Sequence, residues 1–138
     1  MITIMCVDDN KDTLVILEIL LSAETDFKVL RSSLETTCLM QELETYSPDI
    51  LLLDIRMQGT DPLILINEIR DSFPKIHVIV YSGFSDSKLI RDAEQAGASG
   101  YVIKGLSHDD LMSTIRKVSD GKHVFPIEEN WQYAGGII

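Results

Sequence analysis

Five side chains in this sequence have types and positions suited to chemistry: the carboxylates Asp8, Asp9 and Asp54, the hydroxyl of Ser82 and the ammonium of Lys104. Each stands directly after a short apolar run, the place where a buried strand comes to the surface. Asp8 and Asp9 follow Ile2 to Val7, Asp54 follows Ile50 to Leu53, Ser82 follows Ile76 to Tyr81, and Lys104 follows Gly100 to Ile103. Three anions gathered at one edge would repel one another and raise each other's pKa unless a cation intervened, and hard oxygen donors suit magnesium. A carboxylate so placed can attack phosphorus, with a metal and an ammonium neutralising the transferring oxygens and a hydroxyl binding one of them.

The elements that must position these groups are legible in the hydrophobic pattern. Strands are expected over Ile2 to Val7, Phe27 to Arg31, Asp49 to Leu53, Ile76 to Tyr81 and Gly100 to Ile103. Ile50-Leu51-Leu52-Leu53 and Val78-Ile79-Val80 are continuously apolar, as in parallel strands covered on both faces. Between the strands lie helical stripes: Leu14, Leu17 and Leu21; Leu39, Leu43 and Tyr46, ended with the help of Pro48; Leu89, Ala93 and Ala96 before a Gly97 stop; and Leu111, Ile115 and Val118. Asp61-Pro62 opens the third helix, and Ser107 with Asp110 opens the fifth. The result is an α/β chain of (βα)5 form, a flavodoxin-like doubly wound parallel sheet with right-handed connections and strand order 2-1-3-4-5. Such sheets bind ligands beyond the carboxyl ends of the strands where the order reverses, here between the first and third strands.

Composition narrows the function. A chain of 138 residues fits one domain. Its net charge of -10 argues against direct contact with nucleic acid or an anionic membrane and favours a metal ion or a cationic partner. Cys6 and Cys38 have neither metal-ligand nor disulfide-rich spacing and read as buried, reduced, structural thiols. No apolar stretch reaches the roughly 20 residues of a membrane span and no signal pattern opens the chain, so the expected location is cytoplasmic. His77, His108 and His123 share no spacing and carry no expected role.

Asp8-Asp9, the Leu-Leu-Asp54-Ile-Arg-Met run, Tyr81-Ser82-Gly83 and Gly100-Tyr101-Val102-Ile103-Lys104 together resemble response-regulator receiver domains of two-component signalling, over nearly the whole chain. The resemblance implies Asp54 as phosphoacceptor and a Mg2+ site made by Asp9, Asp8 acting mainly through metal-bound water, Asp54 and the backbone carbonyl of Arg56. It also implies that Lys104 pairs with the phosphoryl group, that Ser82 swings toward it, and that Tyr101 turns inward as a switch. Arg56 and Phe84 would line the approach of the attacking water. Such a protein is a switch rather than an enzyme, catalysing only its own phosphorylation and dephosphorylation. Its donor would be a histidine kinase, docking near the first helix and the loop after Ser82. Output would pass through the face of helix four, strand five and helix five, where Lys88, Arg91, Tyr101, Arg116 and Lys117 could meet an output domain, a partner protein or a second receiver.

The sequence departs from the common receiver pattern at Gly105, where proline usually follows the lysine, and at Gln58, where proline usually follows methionine. Without proline a cis bond costs about 3 to 4 kcal/mol, so a trans Lys104-Gly105 peptide is expected. Receivers joined to LuxR-type (LuxR/NarL) helix-turn-helix domains often lack that proline, and Asp120 to Pro126 resembles their linker junction. Residues 1–121 are accordingly read as the receiver and 122–138, with Trp131 and Tyr133, as a linker or tail, any DNA-binding domain lying outside this chain.

Read singly, each of these residues has an ordinary structural explanation: a capped turn for the acid pair, turn chemistry for Ser82-Gly83, a surface lysine, a packing tyrosine. Their joint placement favours the chemical reading. A haloacid dehalogenase-like phosphatase also uses an aspartyl phosphate and magnesium, but its first-strand aspartates are separated by one residue. A flavodoxin would need a Ser/Thr-Gly-rich phosphate loop where Asp8-Asp9-Asn10-Lys11 stands. A receiver degraded to an interaction module would usually lack an acid or the lysine.

Overall fold

The computed structural model describes residues 1–57, 59 and 61–126. Gln58, Trp131 and Tyr133 lie outside the described residues. Strands β1 (Ile2–Val7), β2 (Phe27–Ser33), β3 (Ile50–Leu53), β4 (His77–Ser82) and β5 (Gly100–Ile103) alternate with helices α1 (Lys11–Ser22), α2 (Leu39–Tyr46), α3 (Pro62–Ser72), α4 (Ser87–Ala96) and α5 (His108–Ser119). All strand pairs are parallel, in the order β2-β1-β3-β4-β5. The expected order and element count are observed, with β2 running to Ser33 and β4 to Ser82, each beyond the expected end.

The continuously apolar strands are explained by two cores. Met5, Val7, Leu51, Leu53, Val78 and Val80 face α2, α3 and α4. The alternate residues Ile4, Cys6, Ile50, Leu52 and Ile79 face α1 and α5. A strand buried on both faces has no position for a polar side chain until it ends, and at those ends the carboxylates appear.

Local chemistry sets the helix ends. Asn10 caps α1 by accepting from the Asp12 and Thr13 N–H groups, and Asp61 caps α3 with Pro62 in its first turn. Gly97 ends α4 at φ 118, where a side chain would be strained and a Cβ would meet Arg70 at 2.5 Å. Gly105 adopts φ 85, a conformation closed to proline, and no peptide among the described residues is cis. The residue that replaces the usual proline thus belongs to a trans, left-handed turn.

Three expectations about burial are corrected. Tyr46 is exposed, because α2 stops there and Ser47 turns left-handed. In α4 Ala93 and Ala96 are buried as expected, but the third buried position is Ile90, with Leu89 only partly covered. Cys38, expected to be buried, is exposed at the start of α2, whereas Cys6 is enclosed by the α1/α5 core.

After α5 the chain returns to the sheet edge. Val124 forms a parallel bridge to Gly100, donating to the Ser99 carbonyl and accepting from the Tyr101 N–H, both at 3.0 Å. Gly100 permits this approach, since a Cβ there would press on the Val124 carbonyl at 3.2 Å.

Burial, reinforced by Glu18 and Asp8, pushes the Cys6 thiol up to about 12. In native protein a thiol-reactive disulfide should modify Cys38 rapidly and Cys6 only after unfolding. Two fast-reacting thiols per chain in the absence of denaturant would contradict this packing.

Candidate functional site

The carboxyl ends of β1 and β3 bring Asp8, Asp9 and Asp54 together, with one carboxylate oxygen from each lying within 4.8 Å of the others. Backbone pairing enforces this. Val7 stands beside Leu53 in register, and the Asp54 N–H donates to the Val7 carbonyl at 2.9 Å. Asp8 and Asp54 are buried, at 2% and 7% exposure, and Asp9 is exposed.

Hydrogen bonds fix the carboxylates. Asp8 Oδ1 accepts from the Asn10 N–H at 2.9 Å, so the residue that caps α1 also orients the first acid. Asp54 Oδ1 accepts from the Arg56 N–H at 3.1 Å. Lys104 Nζ donates to Asp8 Oδ2 at 2.7 Å and stands 3.7 Å from Asp54 Oδ2. Three carboxylates against one ammonium leave two formal negative charges uncompensated. A divalent cation matches that excess, and an all-oxygen donor set suits magnesium. The residues present therefore fit the metal.

Burial is the main cause that raises the Asp54 pKa, with Asp8 and Asp9 adding to it. The Arg56 N–H and Lys104 pull the other way. The cavity over Asp54, about 620 Å³, is lined by Asp9, Asp54, Ile55, Arg56, Met57, Gly83, Phe84 and Lys104. Arg56 follows Asp54 by two residues, and its guanidinium lies over the Phe84 ring, 4.7 Å from the centroid.

Ser82 ends β4 fully buried, its Oγ accepting from the Phe84 N–H at 3.2 Å. Tyr101 is 2% exposed and donates its hydroxyl to the Phe84 carbonyl at 2.8 Å. Phe84 therefore joins the strand-four hydroxyl to the strand-five tyrosine through its backbone, a role no side-chain pattern could reveal. Burial raises the Tyr101 phenol, and a hydrogen bond with Ser82 opposes it.

The expected output face is only partly assembled. Lys88 pairs with Asp92 on α4, and Lys117 lines a groove with Tyr101, Leu106, Val124 and Phe125. Tyr101 points inward. Arg116 is directed to the opposite side, donating to Glu24 and Asp26 at 2.6 and 2.9 Å with its guanidinium over Phe27. It ties α5 to the turn before β2 and is not part of that face.

Residues 4–116 match the family described as response regulator receiver domain. The transcriptional regulatory protein LnrK of Bacillus subtilis is 31% identical over 128 residues, covering 93% of this chain and 58% of LnrK. This chain thus spans less than two thirds of that relative's length. A LuxR-family DNA-binding response regulator from Staphylococcus aureus matches with TM-score 0.79 and 27% identity, over 86% of this chain and 99% of that one. The isolated receiver domain of RcsB from Salmonella enterica serovar Typhimurium, solved in the presence of phosphomimetic BeF3-, shares the fold with TM-score 0.83 and 22% identity over 91% and 93% of the two chains.

A raised Asp54 pKa in the folded state has a signed consequence for stability. The carboxyl's contribution is fully present below its unfolded pKa of about 3.9 and is lost as pH rises through the raised folded value. Asparagine carries no such loss. In metal-free buffer, Asp54→Asn should raise the urea midpoint at pH 7, with the gain shrinking toward pH 4 and absent below it. An equal gain at pH 3 and pH 7 would show that the effect is not electrostatic.

Proposed function

The chain belongs to the response regulator receiver domain family of two-component systems, related to LuxR-family regulators, and from that premise we propose that Asp54 accepts a phosphoryl group from the phosphohistidine of a histidine kinase. The observation that carries this reading is the convergence of Asp8, Asp9 and Asp54, with Lys104 spanning two of them at the edge of the cavity.

On this reading individual atoms take distinct roles. Asp54 Oδ1 is held by the Arg56 N–H, which leaves Oδ2, on the lysine side, as the attacking oxygen. An O–P bond forms as the donor's N–P bond breaks, and the imidazole leaves with that electron pair. Asp8, Asp9, Asp54 and the Arg56 carbonyl would hold Mg2+, which when bound offsets the carboxylate repulsion and neutralises charge on the phosphoryl oxygens. Lys104 shifts from Asp8 to a phosphoryl oxygen, remaining protonated. Ser82 turns its hydroxyl to another and releases the Phe84 N–H. Because Phe84 also receives the Tyr101 hydroxyl, that release passes the change to β5. Hydrolysis of the acyl phosphate, with water approaching past Arg56 and Phe84, restores Asp54 and frees inorganic phosphate.

On this reading residues 1–121 form a cytoplasmic receiver. No helix among the described residues is long and apolar enough to cross a membrane. Segment 122–138 is read as a linker, and the likeness to a LuxR-family DNA-binding response regulator favours an output unit of that kind in the whole protein. Output runs through α4, β5 and the neighbouring face of α5 to that domain, a partner protein or a second receiver, with Lys88, Arg91 and Lys117 as its polar contacts.

Incubation with acetyl phosphate and Mg2+, followed by intact-mass measurement, tests the proposal. Wild type should gain one phosphoryl group. Asp54→Asn and metal-free wild type should gain none, and Lys104→Ala should react about 100-fold more slowly. Equal uptake by Asp54→Asn would refute the assignment, as would an inert wild type with both acetyl phosphate and a phosphorylated kinase.

A further inference from the structure

Lys104 is a long, pliable side chain beside Asp54, yet its head must move between two carboxylates without straying into solvent. Its backbone is pinned, since the Lys104 N–H donates to the Ser82 carbonyl at 2.7 Å. Its ammonium is bounded on one side by Asp8 and on another by Asp54. The third neighbour is Tyr81, whose ring centroid lies 5.6 Å from Lys104 Nζ. Tyr81 pairs with Val102 in the sheet register and packs against the α1/α5 core, so the ring is itself held in place.

We propose that Tyr81 is a positioning residue for phosphoryl transfer, its ring face confining the Lys104 ammonium to the path between Asp8 and the phosphoryl oxygens on Asp54. The inference rests on the function proposed above. An aromatic face attracts a cation through its quadrupole without offering a directed acceptor. A third carboxylate would trap the ammonium, and an aliphatic side chain would not attract it, whereas a ring restrains its lateral movement and leaves it free to slide. No proton moves in the step: the lysine stays charged as the O–P bond forms and the donor's bond to phosphorus breaks.

The simpler reading of Tyr81 as a packing aromatic makes different predictions. With acetyl phosphate and Mg2+, Tyr81→Leu should lower the rate at saturating donor about fivefold and leave the half-saturating concentration unchanged. Tyr81→Phe, which keeps the ring, should stay within about twofold of wild type. In a Lys104→Ala background, Tyr81→Leu should have no further effect, because the ring acts only through the lysine. Tyr81→Met serves in the same cycle if the leucine variant does not fold, as judged by its urea midpoint. A second readout needs neither metal nor donor. Acetylation of Lys104 by an N-hydroxysuccinimide ester, followed by peptide mass spectrometry, should accelerate in Tyr81→Leu and not in Tyr81→Phe.

Loss of rate in both lysine backgrounds alike, failure of phenylalanine to rescue, or unchanged Lys104 labelling in Tyr81→Leu would each overturn the role of Tyr81. Should Lys104→Ala instead react like wild type, or Asp54→Asn take up the phosphoryl group, the fault would lie in the reading of the site.

Discussion

Like-charge crowding at the edge of the sheet is the constraint around which this molecule is arranged. Three carboxylate oxygens within 4.8 Å of one another are electrostatically unfavourable, and two of the acids are also buried. They cannot relax apart, because β1 and β3 are hydrogen-bonded neighbours clamped between two apolar layers. The strain of proximity is thus held by the core and becomes a standing demand for positive charge. Lys104 meets part of that demand from β5, two strands away from β3, which makes the geometry of the whole sheet a condition of the site's charge balance.

The same edge offers a short route from charge to shape. Lys104 and Ser82 are joined by their backbones, and Ser82 and Tyr101 are joined through Phe84. Each link is a single hydrogen bond of 2.7 to 3.2 Å between adjacent elements. A hydrogen bond exchanged at Ser82 therefore alters the loop that opens α4 and the side chain that fills the space beneath it.

Much of this was legible in the sequence because burial on two faces forces an unbroken apolar run, and the residue after such a run must sit at an edge. That logic located Asp8, Asp9, Asp54, Ser82 and Lys104. Alternation of strands and helices also implied a parallel sheet, since parallel strands need crossover connections, usually helices, and the flavodoxin-like order was the natural choice at this length. What escaped it depends on distant partners or on side-chain direction. Arg116 was read with helices four and five, but Glu24, Asp26 and the Phe27 ring draw it to the far side of α5. Cys38 was taken as core because small apolar residues usually are, yet it precedes the first buried turn of α2. Tyr81 was read only as the end of the fourth strand run and part of its motif, because its approach to Lys104 depends on the direction of that side chain. Phe84 acts through its peptide groups, which any residue except proline would supply.

The lone bridge between Val124 and Gly100 bears on how the chain can be handled. Parallel pairing cannot extend beyond it, because the next donor in register would be residue 126, a proline. Pairing this brief is readily peeled away, and a chain cut at Gly121 would lack it altogether. The Ser99 carbonyl and Tyr101 amide would then lie bare on the outermost strand, an invitation to adhesion between molecules. A fragment that keeps the chain through Val124 retains both hydrogen bonds, since the segment after α5 is also the hem of the sheet.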